Sequence, residues 1–237
     1  MENPYSIQQK QIVAQLEKLS AKNEPKATLV DMQKDYKNDD QICLTSLSFV
    51  EKKTADKITE KIIKPLEKSG PDHFYFPADS MHITIKNIRT IHKPPLFTPE
   101  DIIKADKLFK SIIPKFPSFS FNFKGLAKFP TSISLIGYCD ETLRKLVQAL
   151  DRGLNEISLP DNKKYISDEI FFGNISICRF THEPSDKFID KFTELKKINI
   201  GTVLIKKINL ITCNAVCNPK TRNIINTYEL KNEQTRY

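Results

Sequence analysis

The stretch MHITIKNI at residues 81–88 begins with alternating apolar and polar side chains, a pattern typical of a β-strand with one buried face. Side chains two positions apart on a strand point to the same face, so His82, Thr84 and Lys86 are expected to project together. The apolar residues between them fall on the opposite face and can pack into a core. The pattern predicts a strand with an imidazole, a hydroxyl and an ammonium group on its polar side.

A second apolar stretch, FFGNISICRF at residues 171–180, carries the tripeptide Asn174-Ile175-Ser176. By the same alternation Asn174 and Ser176 share one face, and Arg179 falls on the opposite face, where a structural role is expected. A single His-x-Thr in a strand is more often structural than functional. Its near-repeat in the second half of the chain favours a binding or catalytic site.

The two tripeptides, one in each half of a chain of this size, resemble the paired motifs of the 2H phosphoesterase superfamily. That superfamily includes RNA 2′,3′-cyclic phosphodiesterases, also called 2′-5′ RNA ligases. The resemblance covers roughly residue 40 to the C-terminus. It implies an α+β fold of two pseudo-symmetric lobes, each an antiparallel sheet with helices packed outside, and an active cleft between the sheets. In the superfamily the second tripeptide also begins with histidine, where this chain has Asn174.

The resemblance implies that His82 transfers a proton, because an imidazole with a pKa of about 6.5 can act as acid or base near neutral pH. The hydroxyl groups of Thr84 and Ser176 would bind the non-bridging phosphate oxygens, and Lys86 would add a phosphate contact. Asn174 can donate a hydrogen bond but cannot exchange a proton. Loss of one positioned acid or base costs about 10² to 10⁴ in rate, so an attenuated enzyme is expected. The chemistry requires no metal or cofactor.

Three functions remain open at this stage. The first is a phosphoesterase of reduced activity that acts on 2′,3′-cyclic phosphate or 2′-5′ linkages of RNA or nucleotides. The second is a catalytically inactive nucleotide- or RNA-binding module with the same cleft. The third is an interaction protein that uses its N-terminal helix, and it rests only on the extension at residues 1–39.

Composition sets mild bounds on these functions. The chain has 237 residues and a net charge of +8, with 39% hydrophobic and 28% charged residues, which is ordinary for a globular protein. The positive charge favours polyanionic partners such as RNA or a nucleotide. The lysine doublets are scattered, however, which is also typical of a solvated surface. A monomer is expected.

The cysteines and the N-terminus indicate a cytoplasmic protein without a membrane partner. Five cysteines form an odd set with no Cys-x-x-Cys pair, so we expect neither a disulfide scaffold nor a zinc site. Cys213 and Cys217 would share one strand face, with no acidic or histidine cluster nearby to complete a metal site. The N-terminal residues lack the pattern of a signal peptide, and no apolar run is long enough for a membrane span.

The remaining pattern predicts a helical extension and linker at 1–39, followed by one bilobal domain at 40–237. Helices are expected at 5–21, 55–66, 98–113, 143–157 and 188–195, and the cap at Thr98 marks the start of one of them. Further strands are expected at 42–50, 119–127, 132–139, 202–216 and 224–230. The strands at 119–127 and 132–139 would form one hairpin, and the last two strands would form another.

Overall fold

The computed structural model describes residues 3–22 and 27–232, which form helices and antiparallel strands in an α+β fold. The helices are α1 (Pro4–Ala21), α2 (Lys52–Ile58), α3 (Lys64–Glu67), α4 (Pro99–Ile112), α5 (Thr142–Glu156) and α6 (Asp186–Leu195). The strands are β1 (Ile42–Phe49), β2 (Phe74–Tyr75), β3 (His82–His92), β4 (Phe119–Phe129), β5 (Ser132–Tyr138), β6 (Gly173–Arg179), β7 (Asn199–Ile205), β8 (Lys207–Cys213) and β9 (Asn223–Glu229). A π-helical turn at Thr59–Ile63 joins α2 to α3.

The strands form one curled sheet in the order β7-β4-β5-β6-β3-β1-β8-β9, with β2 paired to β6. The first lobe consists of β3, β1, β8 and β9, and the second consists of β6, β5, β4 and β7. The two lobes meet where Ile83 of β3 pairs with Ile175 of β6. A local twofold axis at this pair relates the two lobes, so that β3 corresponds to β6, β1 to β5, β8 to β4 and β9 to β7. The expected pseudo-symmetric α+β architecture is confirmed, and the two half-sheets are continuous with each other.

The main core lies on one side of this sheet and contains the apolar residues that alternate with the polar tripeptide positions. Ile83 and Ile175 are fully buried there, together with Leu146 and Leu150 of α5. Burial of one such side chain contributes about 1.5–3 kcal/mol. The apolar alternation in both tripeptides therefore fixes which face of the sheet turns away from this core.

Helix α4 begins where its capping signal places it. The Thr98 hydroxyl accepts a hydrogen bond from the Asp101 backbone N–H at 3.2 Å, and the Asp101 carboxylate accepts one from the Thr98 N–H at 2.8 Å. This reciprocal pair satisfies backbone donors that have no partner within the helix. The helices expected in the second half are also present, as α5 and α6.

The strand expected at 202–216 is wrong in one respect, because the structure divides it between the lobes. Residues up to Ile205 belong to β7, which pairs with β4, whereas β8 starts at Lys207 and pairs with β1 and β9. The chain crosses from the second lobe to the first at Lys206. The local pattern alone cannot reveal this crossing, because both segments are rich in apolar residues and only Lys206 and Lys207 separate them. The β4–β5 and β8–β9 hairpins are confirmed.

The N-terminal helix packs on the second lobe. The Gln9 side chain is fully buried, donates to the Phe171 carbonyl at 2.6 Å and accepts from the Cys139 N–H at 3.1 Å. Val13 packs with Ala127 and Ile136 on the sheet face opposite the main core. Among the described residues no helix is both long and apolar enough to cross a membrane.

Candidate functional site

The two tripeptides lie side by side at the junction of the lobes. Because Ile83 is directly opposite Ile175 in an antiparallel pair, Thr84 lies next to Asn174, and His82 lies next to Ser176. All four of these polar side chains are half-buried on the sheet face that points away from the main core. The structure thus brings together an imidazole, an amide and two hydroxyl groups around a local twofold axis.

Each of the two strands carries a β-bulge directly after its tripeptide. On β3 the register shifts between Thr84, opposite Leu47, and Lys86, opposite Ser46. On β6 the register against β5 shifts in the same way after Ser176. A bulge inserts one residue and so resets the alternation of side chains. The two bulges occupy equivalent positions in the two lobes.

Because of the bulge on β3, the Lys86 side chain points to a different face from the one that the sequence predicted. Its side chain is 1% exposed, and its ammonium group lies 2.8 Å from a carboxylate oxygen of Asp161 and 2.5 Å from one of Asp151. The same group lies 5.1 Å from the centre of the Tyr165 ring. Lys86 therefore does not share the cleft face with His82 and Thr84, and its charge is already neutralised by two acids.

Because of the second bulge, Arg179 lies on the same face of β6 as Ser176, whereas the sequence predicted the opposite face. Ser132 pairs with Arg179, and Ser134 pairs with Ser176, so Arg179 and Ser176 point to the same side. Arg179 lines the cavity that contains His82. Its Nε donates to the Ala215 carbonyl at 3.2 Å, which fixes the guanidinium at the cavity wall. The expectation of a structural position opposite Asn174 is wrong for this physical reason.

Asn87 is the counterpart of Arg179 in the first lobe. Each residue stands five positions after the start of its tripeptide, and both line the same cavity. The Asn87 amide donates to the Asp161 carboxylate at 3.3 Å. Strict alternation hides both residues, and only comparison of equivalent positions in the two strands could have indicated them.

His82 is held by its backbone neighbour Ser80, and Cys217 affects its pKa. Its Nδ1 lies 2.7 Å from the Ser80 carbonyl oxygen. Because a carbonyl oxygen only accepts, Nδ1 carries a proton and Nε2 is the nitrogen that exchanges one. Burial lowers the pKa of His82, but the hydrogen bond and negative charge of Cys217, together with the Ser80 carbonyl, outweigh it and raise this pKa above its ordinary value.

Asn174 has a weaker local anchor than His82. Its amide Nδ2 donates to the Ser134 hydroxyl at 3.5 Å. Strand β6 starts at Gly173, directly before Asn174, and the Phe121 ring packs closely against this residue. A Cβ atom at position 173 would lie 2.7 Å from the ring, so glycine is needed there. An amide group here can orient a ligand but cannot take or give a proton near neutral pH.

Two adjoining cavities of about 220 and 230 Å³ open around these residues. The first contains His82 and Arg179, and the second contains Asn174. Thr28 and Leu29 line both cavities, as does Thr84. The N-terminal extension, expected to be an appendage, therefore lines both the cavity of the histidine and that of the asparagine.

Hydrogen bonds hold residues 28–30 in this position. The Thr28 N–H donates to the Lys164 carbonyl at 3.0 Å, and the Thr28 hydroxyl accepts from the Lys164 N–H at 2.8 Å. The Thr131 hydroxyl donates to the Val30 carbonyl at 2.9 Å. The polar, linker-like composition of this stretch gave no indication of such contacts. We call residues 28–31 the cleft segment.

The cleft is suited to an anion. Lys163 lines both cavities and Arg179 lines the first, so two cationic side chains border the cavity that Thr84 also lines. Burial lowers the pKa of Lys163, and the nearby Asp161 opposes that effect. In the described ranges 3–22 and 27–232, no group of three or more histidine, cysteine or acidic residues has the arrangement of a metal site.

Comparisons with known proteins bear on the fold. No family model matches the chain, and no curated protein matches it. Solved structures do match. A Thermus thermophilus protein is 14% identical with a TM-score of 0.58, and the match covers 81% of this chain and 99% of that one.

Two further structures match over the same shares of both chains, 81% and 99%. One is described as a phosphoesterase and is 13% identical with a TM-score of 0.54. The other is E. coli LigT in complex with 3′-AMP, 14% identical with a TM-score of 0.54. The chain therefore shares its fold with solved phosphoesterases.

Proposed function

We propose that this protein is a 2H-type phosphoesterase of reduced activity, acting on 2′,3′-cyclic phosphate or 2′-5′ linkages of RNA or nucleotides. The pairing of Ile83 with Ile175 carries the proposal, because it gathers the polar groups of both tripeptides on one sheet face. The shared fold and the phosphate, 3′-AMP and ATP complexes of LigT give further support.

The phosphate would lie over the Ile83–Ile175 pair. The hydroxyl groups of Thr84 and Ser176 would donate to its non-bridging oxygens, and Arg179 would supply a positive charge from the cavity wall. Lys86 has no part in this site, because two carboxylates hold its ammonium group. Two hydroxyl donors and one guanidinium would fix the phosphorus and stabilise the charge that develops during attack.

His82 is the residue of the two tripeptides that can transfer a proton. In hydrolysis of a cyclic phosphate, a water oxygen bonds to phosphorus while the bond from phosphorus to one ribose oxygen breaks. His82 Nε2 would take the proton from water or give one to the leaving oxygen. The other transfer falls to solvent, because Asn174 has no exchangeable proton of suitable pKa. Turnover is therefore slow.

The test is hydrolysis of a nucleoside 2′,3′-cyclic phosphate by the native chain and by the Asn174→His variant. Restoring a second imidazole should raise the rate by about 10² to 10⁴. Asn122→His, on β4 and away from the site, is the matched control and should change nothing. An unchanged rate for Asn174→His, with the variant folded, would contradict the proposal.

A second candidate is a nucleotide-binding module without turnover, and the cleft segment favours it. Thr28 and Leu29 line both the cavity of His82 and that of Asn174. The cleft segment would therefore restrict the room for a nucleotide beside the two residues. The binding module would replace the enzyme if two results were obtained together. The chain would bind 3′-AMP tightly, and neither the native chain nor the Asn174→His variant would hydrolyse the nucleoside 2′,3′-cyclic phosphate.

A further inference from the structure

Three cysteines of the first lobe, Cys43, Cys213 and Cys217, pack together. Two of them, Cys43 and Cys213, line the cavity that contains His82. Cys43 of β1 and Cys213 of β8 have their sulfur atoms 3.7 Å apart. Cys217 lies in the turn after β8 with a φ of 51°, so it is off the strand face that the sequence suggested. None of these thiols is assigned a contact with the phosphate in the proposed hydrolysis.

We propose that Cys43 and Cys213 form a peroxide-reactive dithiol that closes to a disulfide. The two residues are directly opposite each other on neighbouring antiparallel strands. Such pairs have Cα atoms about 4.5–5.5 Å apart, which lies within the range of about 4.4–6.8 Å that disulfides need. The sulfur atoms must approach from 3.7 Å to about 2.05 Å, which rotation of the two side chains can achieve.

Access distinguishes this pair from the other cysteines. Cys43 and Cys213 line the cavity that contains His82, so a small peroxide can reach them through the cleft. Cys217 is fully buried and does not line that cavity, and Cys178 is fully buried in the main core. Burial raises the pKa of Cys139, which keeps that thiol protonated and unreactive.

The electrostatics of the pair assign a role to each sulfur. A hydrogen bond with Cys213 lowers the pKa of Cys43, against the burial that raises it. Hydrogen bonds to Cys217 and to Cys43, together with burial, raise the pKa of Cys213 well above the ordinary value. Since the thiolate is the nucleophile, Cys43 reacts first and Cys213 resolves the product.

The reaction balances with one equivalent of peroxide. The Cys43 thiolate attacks one oxygen of hydrogen peroxide, the O–O bond breaks, and hydroxide leaves and is protonated to water. The Cys213 sulfur then attacks the resulting sulfenic sulfur, the S–O bond breaks, and a second water leaves with the Cys213 proton. Two thiols are oxidised to one disulfide, and the peroxide is reduced to two waters.

The experiment exposes the reduced full-length protein to one equivalent of hydrogen peroxide, alkylates the remaining thiols after denaturation and maps the peptides by mass spectrometry. Of the five free thiols, three should be alkylated, and one peptide pair should be joined through Cys43 and Cys213. Dithiothreitol should restore all five. The Cys43→Ser and Cys213→Ser variants should form no disulfide, whereas the core control Cys178→Ala should behave like the native chain.

Two results would overturn the proposal: five alkylated thiols after peroxide, or a disulfide that joins any other pair. The measurement on the native chain needs no variant to fold. It also involves no nucleotide, so its outcome is separate from that of the proposed hydrolysis.

Discussion

At the residue scale, the site depends on the unequal chemistry of His82 and Asn174. The two residues occupy equivalent positions about the local twofold axis, yet one exchanges protons and the other does not. His82 also differs in its surroundings, because the Ser80 carbonyl holds its ring and Cys217 raises its pKa. The symmetry of the fold therefore supports an asymmetric site.

The His82 titration is the first prediction at this scale. Because folding raises the pKa of His82, its proton contributes stability below the unfolded value of about 6.5, and this contribution is lost as pH rises through the folded pKa. Cys217→Ala removes the partner that raises the pKa, so the NMR-measured pKa of the ring should fall. An equal pKa in the variant and the native chain would contradict this account of the ring.

Lys86 gives the second prediction. Lys86→Ala leaves the Asp161 carboxylate, 5% exposed, without its cation, so the free energy of unfolding should fall by about 3–5 kcal/mol. The control Lys52→Ala breaks an exposed pair with Asp56 and should cost less than about 1 kcal/mol. Denaturant unfolding measures both. A small loss of stability combined with a large loss of phosphate binding would instead place Lys86 in the site.

At the element scale, two bulges and one N-terminal segment account for most of what the sequence did not show. The alternation in 81–88 and 171–180 predicted the strands and the shared face of each tripeptide. It failed at Lys86 and Arg179, because a bulge depends on partner strands that local alternation does not specify. The cleft segment was missed because its contacts with Lys164 and Thr131 are distant in sequence.

The cleft segment gives the third prediction. Replacing Thr28 and Thr131 with valine removes its hydrogen bonds with the Lys164 N–H and the Val30 carbonyl. The segment should open more easily, so amide exchange at 28–31 should become faster and 3′-AMP should bind several-fold more tightly. Thr221→Val, in an exposed turn, is the control. Weaker nucleotide binding in the double variant would show that the segment supports the ligand instead of excluding it.

At the scale of the whole molecule, the two half-sheets are joined through β3 and β6, the strands that carry the tripeptides, and this explains why two short motifs meet. β3 and β6 lie at the centre of the sheet and are adjacent only because each ends its own half-sheet. The family resemblance implied the two lobes, but the sequence did not predict the crossing at Lys206. The net charge of +8 supports anion binding, and that binding should weaken as salt screens the charges. A cytoplasmic location and a monomeric state stay predictions.

The central claim is that phosphate binds over the Ile83–Ile175 pair, between the two tripeptides. The most direct test is a crystal structure of the chain with 3′-AMP, using anomalous scattering to locate the phosphorus. We expect the phosphate within hydrogen-bonding distance of the Thr84 and Ser176 hydroxyls and beside His82, and no bound nucleotide in the Thr84→Ala, Ser176→Ala double variant. A phosphate bound elsewhere, or retained by that variant, would contradict the claim.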